Sequence, residues 1–567
     1  MNKDNNAFVA KLQQTMKRVF KLVFLFSAAV NVLMLASPLY MMQVFDRVIT
    51  TASIETLLFL TFAVLMALAF LSLFDAVRGI LLVRLSNWVE EQTAPVILQK
   101  AIERNQLIKA PSLQVMSDLQ ACTGFLAGAR VLAFLDAPWV PLYLIIIWLL
   151  HPVLGLIATL GAGGLFFMAY LSEKKTQPHM QSVRSHATDA MTQAQQGMAN
   201  AESVASMGML EGVLSRWEES SSAARVERAD LNRMQSVLSS ITKLVRMALQ
   251  TAILGFGALL VLQGELTAGG MIAGSILLGR ALAPVEQSIG AWRAFAQVRS
   301  AYGRLLTLLE KVDVKNDGMA LPRPEGGAEI VDLGFQYPLV KTPAVIGASF
   351  AVKAGTVHGV VGPSGSGKST LARLISGALR PSKGITRLGN VDLQQWSAPA
   401  RGKYIGYMSQ TPELFNGSVH QNIARLGEGK PEDVIAAAKM VGAHEMILQL
   451  PDGYDTLLSM NGGNLSVGQR RRIEMARAVY GNPALVVFDE PNANLDKDGE
   501  IGLVKAIKAL KKSGCAVVLI AHRAGYVGLM DQVSLISKGR IVRTGPPKDV
   551  LVKSAKKHKA IGGGAKA

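Results

Sequence analysis

Cysteine is scarce in this sequence of 567 residues, which contains only Cys122 and Cys515. The two lie far apart and form neither a Cys-x-x-Cys pair nor another spacing typical of a metal site. This excludes a disulfide framework of the kind that small secreted domains use. We expect both thiols to be reduced and structural, in a protein that faces the cytosol.

Acidic residues are outnumbered, with 41 Asp and Glu against 59 Lys and Arg and a formal net charge of +18. Such an excess is often found in nucleic-acid-binding proteins. Here the basic residues concentrate in two long polar segments, 78–130 and 173–243, while the short connections near 151 and 263–267 contain none. The positive-inside rule places the N-terminus and both long segments in the cytoplasm. Attraction to membrane lipid explains the charge more simply than nucleic acid does.

The N-terminal apolar stretch is long and lacks a small-residue cleavage site, so it is a retained membrane span rather than a signal peptide. Hydrophobic residues make up 50% of the chain, too many for an ordinary soluble enzyme. At about 20 residues per crossing, charge-poor runs predict about six spans. They cover 22–44, 57–74, 131–150, 153–171, 244–262 and 268–285. His151-Pro152 separates the third span from the fourth, since proline ends one helix and suits the start of another.

The pattern changes beyond residue 328, where apolar runs alternate with helical segments, as in an α/β domain with a mostly parallel sheet. Helical apolar spacing in the two long polar segments predicts cytoplasmic hairpins with tips near 110–124 and 201–212. Ionisable residues in or near the spans should face partners or a cavity; they are Asp75, Asp136, Arg246, Arg280 and Glu286. The predicted organisation is a cytoplasmic N-terminal segment over 1–20, a six-helix transmembrane domain over 21–300, a linker over 301–327, a nucleotide-binding domain over 328–552 and a disordered basic tail over 553–567.

A phosphate-binding loop is predicted between an apolar strand at 357–361 and a helix from 371, because the intervening residues match G-x-x-x-x-G-K-[ST]. Glycines let backbone N–H groups turn toward phosphate oxygens, and the helix N-terminus adds partial positive charge. Lys368 is expected to reach the β- and γ-phosphates of ATP and Ser369 to bind Mg²⁺. The predicted nucleotide-binding residues here are Gly362, Pro363, Ser364, Gly365, Ser366, Gly367, Lys368, Ser369 and Thr370.

Two acids follow the apolar run 485–488, as in a buried strand whose carboxylates emerge at its C-terminal edge. Asp489 is predicted to hold Mg²⁺, and Glu490 to polarise the attacking water. The pair alone is a moderate signal, and its position after the phosphate loop strengthens it.

Further motifs, in the correct order over about 190 residues, resemble those of ATP-binding cassette (ABC) proteins. Leu465-Ser466-Val467-Gly468-Gln469 resembles the family signature, and Tyr407-Met408-Ser409-Gln410 the Q-loop. The resemblance implies that Tyr337 stacks on adenine, Gln410 acts in catalysis and metal binding, Asp496 is the D-loop aspartate and His522 is the switch histidine. It also implies a type I ABC exporter fold, in which a six-span domain precedes the α/β P-loop domain.

The same resemblance implies two cassettes that meet head to tail, with Ser466, Gly468 and Gln469 closing on ATP in the partner's cleft. A single cassette in the chain therefore implies a homodimer. Val467 departs from the family pattern, which has glycine there. A β-branched residue resists positive φ and crowds a phosphate, so we predict reduced but not abolished hydrolysis.

The membrane half resembles type I secretion permease/ATPases of the protease-exporting, PrtD-like branch. The resemblance rests on 37–48, Asp136-Ala137-Pro138-Trp139, 201–209 and 279–287, and in the cassette on 490–496. It implies export of unfolded proteins with a C-terminal signal, with a periplasmic adaptor and an outer-membrane channel. Because only about 20 residues precede the first span, we expect the N-terminal peptidase-like domain of other branches to be absent.

Alternative functions remain open on the sequence. A lipid or small-molecule exporter has the same number of spans and the same cassette. A non-transporting ATPase of the chromosome-maintenance kind is disfavoured by the six spans. A catalytically weak regulator is the third alternative, favoured if Val467 disables hydrolysis.

Overall fold

The computed structural model describes residues 3–108, 114–311, 322–338, 340–459, 462–493, 495–521 and 524–550. The chain forms two compact units, a helical one over 1–101 and 112–312 and an α/β one over 102–111 and 313–567. The predicted basic tail, 553–567, and residues 110–113 of the first predicted hairpin tip lie outside the described residues. The rest of that predicted tip, 114–124, is helical, within the helix Gln114–Ala127.

The helical unit is built mainly from long helices. They are α1 (Lys3–Leu33), α2 (Ala36–Gln43), α3 (Ile49–Thr51), α4 (Ile54–Ile108), α5 (Gln114–Ala127), α6 (Ala129–Asp136), α7 (Val140–Leu150), α8 (Pro152–Ala199), α9 (Ala201–Ser206), α10 (Leu210–Leu262) and α11 (Ala268–Lys311). A π-helical turn, Val44–Val48, and a 3₁₀ turn, Ala137–Trp139, separate some of them.

Six apolar helical stretches coincide with the six predicted spans. Four are long and apolar enough to cross a membrane by length and composition: Val9–Thr51, Ile54–Arg104, Arg130–Leu150 and Leu210–Leu262. Two shorter apolar stretches, Pro152–Met168 and Ala268–Pro284, stand at the remaining two positions. As predicted, His151 is extended and Pro152 opens α8.

The span ends differ from the predicted ones where proline interrupts the helix. The first span breaks between α1 and α2, because Pro38 has no amide hydrogen to donate to the carbonyl of Met34. The third span is divided by the 3₁₀ turn that contains Pro138. The segment predicted as 1–20 is already helical from Lys3, and α11 continues through the first residues of the predicted linker to Lys311.

Four of the five ionisable residues predicted to need partners in or near the spans form ion pairs, two of them with Arg78 and two with each other. Arg78 is 5% exposed, and its guanidinium lies 2.7 Å from Asp75 Oδ1 and 2.8 Å from Asp136 Oδ1. Arg246 lies 3.4 Å from Glu286. Pairing lowers the cost of charge within a membrane. Arg280, by contrast, has an exposed side chain on α11.

The second hairpin is formed by α8 and α10, which pack against each other. Ser182 donates to Glu227 at 2.6 Å and Gln193 donates to Ser220 at 3.2 Å, both across the pair. The short helix α9 connects them at the predicted tip.

The described residues of the α/β unit form three sheets. Its strands are β1 (Ala328–Phe335), β2 (Val345–Val352), β3 (Val357–Val361), β4 (Lys383–Leu388), β5 (Val391–Asp392), β6 (Ile405–Met408), β7 (Gly417–Ser418), β8 (Leu457–Leu458), β9 (Leu485–Asp489), β10 (Ala516–Ile520), β11 (Gln532–Ser537) and β12 (Arg540–Gly545). Its helices are α12 (Lys368–Ile375), α13 (Ala398–Tyr404), α14 (Val419–Ile423), α15 (Pro431–Met440), α16 (His444–Leu448), α17 (Val467–Val479) and α18 (Lys497–Lys512).

The main sheet has the strand order β12-β11-β3-β10-β9-β6 and is parallel except for the edge strand β12. A four-stranded antiparallel sheet, β2-β1-β4-β5, and the β7-β8 pair complete the unit. Residues along β9 alternate between two cores: Val486 and Phe488 enter one, Leu485 and Val487 the other. Burial on both faces explains the continuous apolar run that precedes the acids, and the C-terminal edge of the sheet is where ligands bind in such folds.

Candidate nucleotide site

Glycines shape the loop between β3 and α12. Gly365 and Gly367 have φ of +73° and +100°, values that L-residues rarely adopt. A Cβ at Gly367 would lie 2.2 Å from the carbonyl oxygen of Ala344, and one at Gly362 would lie 2.2 Å from that of Ile536. The loop can therefore take this shape only with glycine at these positions.

Lys368 opens α12 and is held by the loop itself. Its ammonium donates to the carbonyl oxygens of Gly362 at 3.0 Å and Pro363 at 2.8 Å, and the residue is 4% exposed. Burial lowers the pKa of Lys368, while Glu490 and Asp489 act in the opposite direction. The positive charge thus lies where the predicted phosphates would be bound.

Asp489 is the last residue of β9 and is 1% exposed. Ser369 donates its hydroxyl to Asp489 Oδ1 at 3.3 Å, so the two predicted metal ligands are brought together. Burial raises the pKa of Asp489, and the Ser369 hydrogen bond partly offsets this. Hydroxyl and carboxylate oxygens are ligands that Mg²⁺ prefers, usually with substrate phosphates. The described residues contain no group of three His, Cys, Asp or Glu side chains suited to a metal.

Glu490 follows with a φ of +52°, an uncommon conformation for a residue with a side chain. Gln410 donates from Nε2 to Glu490 Oε2 at 3.3 Å. Residues held in sparsely populated backbone regions cluster at functional sites and persist only where their surroundings enforce them. The structure therefore brings the predicted base and the Q-loop glutamine together.

A cleft of about 850 Å³ lies beside the phosphate-binding loop. Of the predicted residues it is lined by Tyr337, Ser364, Gly365, Gly367, Lys368, Ser369, Thr370, Gln410 and Glu490. Tyr337 lies edge-on to Phe335, with ring centroids 4.9 Å apart, and its hydroxyl is 3.4 Å from Thr370 Oγ1. The loop residues Gly362, Pro363 and Ser366 support it through backbone hydrogen bonds.

The signature residues are not among the described residues that line this cleft. Ser466 caps α17, accepting from the backbone N–H of Gln469 at 3.2 Å, while the Gln469 side chain accepts from the backbone N–H of Ser466 at 2.8 Å. Val467 and Gly468 begin the helix. Val467 is therefore helical, so the expectation that it must resist a positive φ is wrong. Its side chain is 40% exposed, and the expectation that it crowds a phosphate stays a prediction.

Asp496 caps α18, accepting from the backbone N–H of Gly499 at 2.9 Å, and also pairs with Arg472 of α17. The Arg472 hydrogen bond lowers the pKa of Asp496. The predicted D-loop aspartate thus links two helices of its own unit. His522 lies outside the described residues.

Several cleft residues were not predicted from the sequence. Thr342, Ala344 and Ile346 come from the start of β2 and the residues before it, and Lys538-Gly539 forms the turn between β11 and β12. Positive φ values of +48° at Lys538 and +76° at Gly539 fit a tight turn. A Lys-Gly pair between two apolar strands indicates a turn. The position of this turn beside the cleft, however, depends on the strand order of the main sheet.

A helical unit with membrane spans, followed by an α/β unit with this cleft, defines an ATP-driven membrane transporter. The chain matches the "ABC transporter transmembrane region" model over residues 20–283 and the "ABC transporter" model over 345–493. It is 38% identical to the "Type I secretion system ATP-binding protein PrsD" of Rhizobium meliloti, over 97% of this chain and 95% of that protein.

More distant relatives include the "Toxin RTX-I translocation ATP-binding protein" of Actinobacillus pleuropneumoniae, 25% identical over 94% of this chain and 76% of that protein. "Leukotoxin translocation ATP-binding protein LktB" of Mannheimia haemolytica is 25% identical over 95% of this chain and 77% of its own. A solved bacterial Atm1-family ABC exporter with ATP bound has a TM-score of 0.81, covering 97% of this chain and 99% of its own. At 21% identity that likeness concerns the fold alone.

The chain belongs to the ABC transporter family, among the type I secretion ATP-binding proteins. It is a multi-pass inner-membrane protein with a cytoplasmic ATPase domain, and it couples ATP hydrolysis to transport. The predicted fold class and the predicted enzyme class are both confirmed.

Proposed function

We propose that this chain works as a homodimer that exports unfolded proteins bearing a C-terminal signal, together with a periplasmic adaptor and an outer-membrane channel. The observation that carries the proposal is the 38% identity to a type I secretion protein over 97% of the chain. Two more distant relatives are named for translocation of the toxin RTX-I and of leukotoxin. A repeat protein of the RTX type is therefore the expected class of cargo.

In the cleft, each residue type suits one task in ATP hydrolysis. Lys368 binds the β- and γ-phosphates with a charge that the loop carbonyls already orient. Ser369, Asp489 and Gln410 would hold Mg²⁺, which when bound neutralises charge on the phosphate oxygens. Tyr337, which also lines the cleft, offers its ring to adenine.

Glu490 is the group that accepts a proton from the attacking water, and Gln410 holds its carboxylate in place. His522 is assigned to the γ-phosphate through the family resemblance. These roles are proposals that rest on the arrangement of the described side chains and, for His522, on its motif.

The signature residues act in trans. Ser466, Gly468 and Gln469 begin α17, and the described lining of the chain's own cleft does not include them. The exposed N-terminus of a helix suits a phosphate, because its N–H groups and dipole favour negative charge. A second copy of the chain would place these groups over the ATP of the first.

A covalently linked tandem dimer tests action in trans. With Lys368→Ala in one half and Ser466→Arg in the other, one complete cleft remains if the signature acts in trans. With both substitutions in the same half, none remains. We expect clear ATPase activity for the first arrangement and almost none for the second. The reverse result would show that each chain completes its own cleft.

ATP would drive transport through its greater affinity for the closed pair of cassettes, and hydrolysis would reset the pair. Secretion into the medium tests the cargo assignment, in cells that contain the adaptor, the channel and an RTX-type protein. We expect export to stop when the C-terminal signal of that protein is deleted. Export that continued without the signal would contradict the proposal.

A further inference from the structure

Arg471 is buried on α17 and reaches both catalytic segments of the α/β unit. It is 1% exposed, and its side chain is among the largest that are fully buried. Its Nη1 donates to the carbonyl oxygens of Ser409 at 2.7 Å and Gln410 at 2.9 Å. Its Nη2 donates to the carbonyl oxygen of Glu490 at 2.7 Å. One guanidinium therefore joins the ends of β6 and β9.

Glu474, one helical turn further along, fixes the same segment from its amide side. It is 1% exposed, and Oε1 accepts from the backbone N–H of Ser409 at 3.3 Å and from its hydroxyl at 2.9 Å. Arg471 and Arg477 each lie 3.5 Å from a carboxylate oxygen of Glu474. Burial raises the pKa of this carboxyl, and the two arginines oppose that effect.

Burying the charges of Arg471 and Glu474 costs free energy, because each charge loses its hydration and must regain it from good partners. A purely structural filler would need no charge here, since packing alone can be met by an apolar side chain of similar volume. The partners of Arg471 instead include the carbonyls of Gln410 and Glu490, the two residues whose side chains meet at the cleft. Gln410 Nε2 and Glu490 Oε2 are 3.3 Å apart on the side chains of those residues.

We propose that Arg471 and Glu474 are positioning residues for ATP hydrolysis. They hold Gln410 and Glu490 in their relative places and join both to α17. Glu490 particularly needs such support, since its φ of +52° is maintained only if its surroundings enforce it. The geometric demand is strict, because a displacement of about 1 Å at a reacting group can cost about 100-fold in rate.

This inference deepens the proposed function and rests on it in one respect. Because α17 begins with Ser466, the helix that would contact the partner's ATP also carries the link to the chain's own Gln410 and Glu490. A shift of α17 in one cleft would then be transmitted to the other through Arg471. The local part of the inference, positioning within one chain, holds whatever the cargo is.

The test measures ATPase turnover and ATP affinity of the full-length protein in detergent, without any exported substrate. We expect Arg471→Met to lower kcat about 100-fold while the Kd for a fluorescent ATP analogue changes less than about 3-fold. Arg471→Lys keeps the charge and should restore part of the rate. Glu474→Gln, which keeps the shape and loses the charge, should lower kcat less than Arg471→Met does.

Arg425 provides a matched control in the same unit. It is a partly buried arginine that also donates to backbone carbonyls, including those of Ile405 and Tyr480 at 3.2 and 3.1 Å, and burial lowers its pKa to about 10. Arg425→Lys should lower the unfolding temperature with kcat per folded molecule unchanged. Wild-type kcat in folded Arg471→Met, or in folded Glu474→Gln where Arg471→Met does not fold, would overturn the proposal, as would a loss of kcat in Arg425→Lys equal to that in Arg471→Lys. Because no cargo is present, failure of the export assignment cannot produce either result.

Discussion

The amide nitrogen of Gln410 lies 3.3 Å from the carboxylate of Glu490, although the two residues are 80 positions apart in the chain. The contact places a neutral donor on the group proposed to accept a proton from water. Glutamine can replace Glu490 in shape but cannot take that proton. Replacing Glu490 with glutamine should therefore stop ATP turnover without preventing ATP binding.

Glu490→Gln should bind ATP with about wild-type affinity and lose ATPase activity by about 100-fold or more, the contribution of a positioned general base. Secretion should be lost with it. Glu428→Gln, an exposed glutamate of the same unit, is the control and should behave as wild type. Normal secretion by Glu490→Gln would show that hydrolysis at this residue does not drive export.

Asp489→Asn should raise the Mg²⁺ concentration needed for half-maximal ATPase by at least about 10-fold. Without Mg²⁺ the same variant should unfold at a higher temperature, by about 2–4 °C for each kcal/mol gained. Burial raises the pKa of Asp489, so the ionised carboxyl costs stability at neutral pH and its removal relieves that cost. Asp433→Asn, on the exposed first turn of α15, should change neither quantity. An unchanged Mg²⁺ requirement would remove Asp489 from the metal site.

His358 should make stability fall as the pH is lowered below about 6.5. It is 1% exposed, stacks on Phe350 and lies 2.8 Å from Ser534 Oγ. Burial lowers its pKa to about 4. The unfolded chain therefore binds a proton at His358 that the folded chain does not bind. This lowers the free energy of unfolding by about 2 kcal/mol between pH 6.5 and pH 5. The difference in unfolding temperature between these two pH values should be smaller in His358→Gln than in the wild type. An equal difference would refute this assignment.

Val467→Gly should increase kcat, since it removes a branched side chain from the helix end proposed to approach phosphate. The structure gives no backbone reason for the effect, because Val467 is helical. The expected gain is therefore steric alone and is measured as ATPase turnover at saturating ATP. An unchanged rate would mean that the valine does not crowd the partner's nucleotide.

Gly269→Ala should destabilise the helical unit by about 1–3 kcal/mol, a typical cost of overpacking. The added Cβ would lie 2.5 Å from the carbonyl oxygen of Met42 and 2.7 Å from Cγ of Asp46. Asp46 also accepts from the backbone N–H of Gly269 at 2.8 Å and from Thr267 at 2.7 Å, so the clash would break a cap on α11. Gly163→Ala, where nothing lies within 4 Å, is the matched control. Equal unfolding temperatures in detergent would contradict the predicted clash.

The sequence predicts the parts of the site that follow one another along the chain. Lys368 and Ser369 belong to one short motif, and the apolar run before Asp489 indicates a buried strand, so both places follow from local pattern. The position of Lys538 beside the cleft does not, because it depends on which strands are neighbours in the main sheet. The position of Arg471 cannot be predicted from the sequence for another reason. It is one of three consecutive arginines, and only the packing of the unit shows that its guanidinium is buried.

The spans show the same limit. Their number and sidedness follow from hydrophobicity and basic residues. The helix breaks near Pro38 and Pro138 lie inside or beside apolar runs, so hydrophobicity alone does not show them. The role of Asp46 as a cap for α11 is also absent from the pattern, since 223 positions separate it from Gly269.

We propose that this transporter recognises a C-terminal signal of an unfolded protein. The most direct test measures the ATPase rate of the detergent-purified protein with and without a synthetic peptide of such a signal, using a scrambled peptide as control and Glu490→Gln as blank. The proposal predicts that the signal peptide, and not the scrambled one, changes the rate. No response to the peptide, together with stimulation by added lipid, would contradict it and favour a lipid exporter.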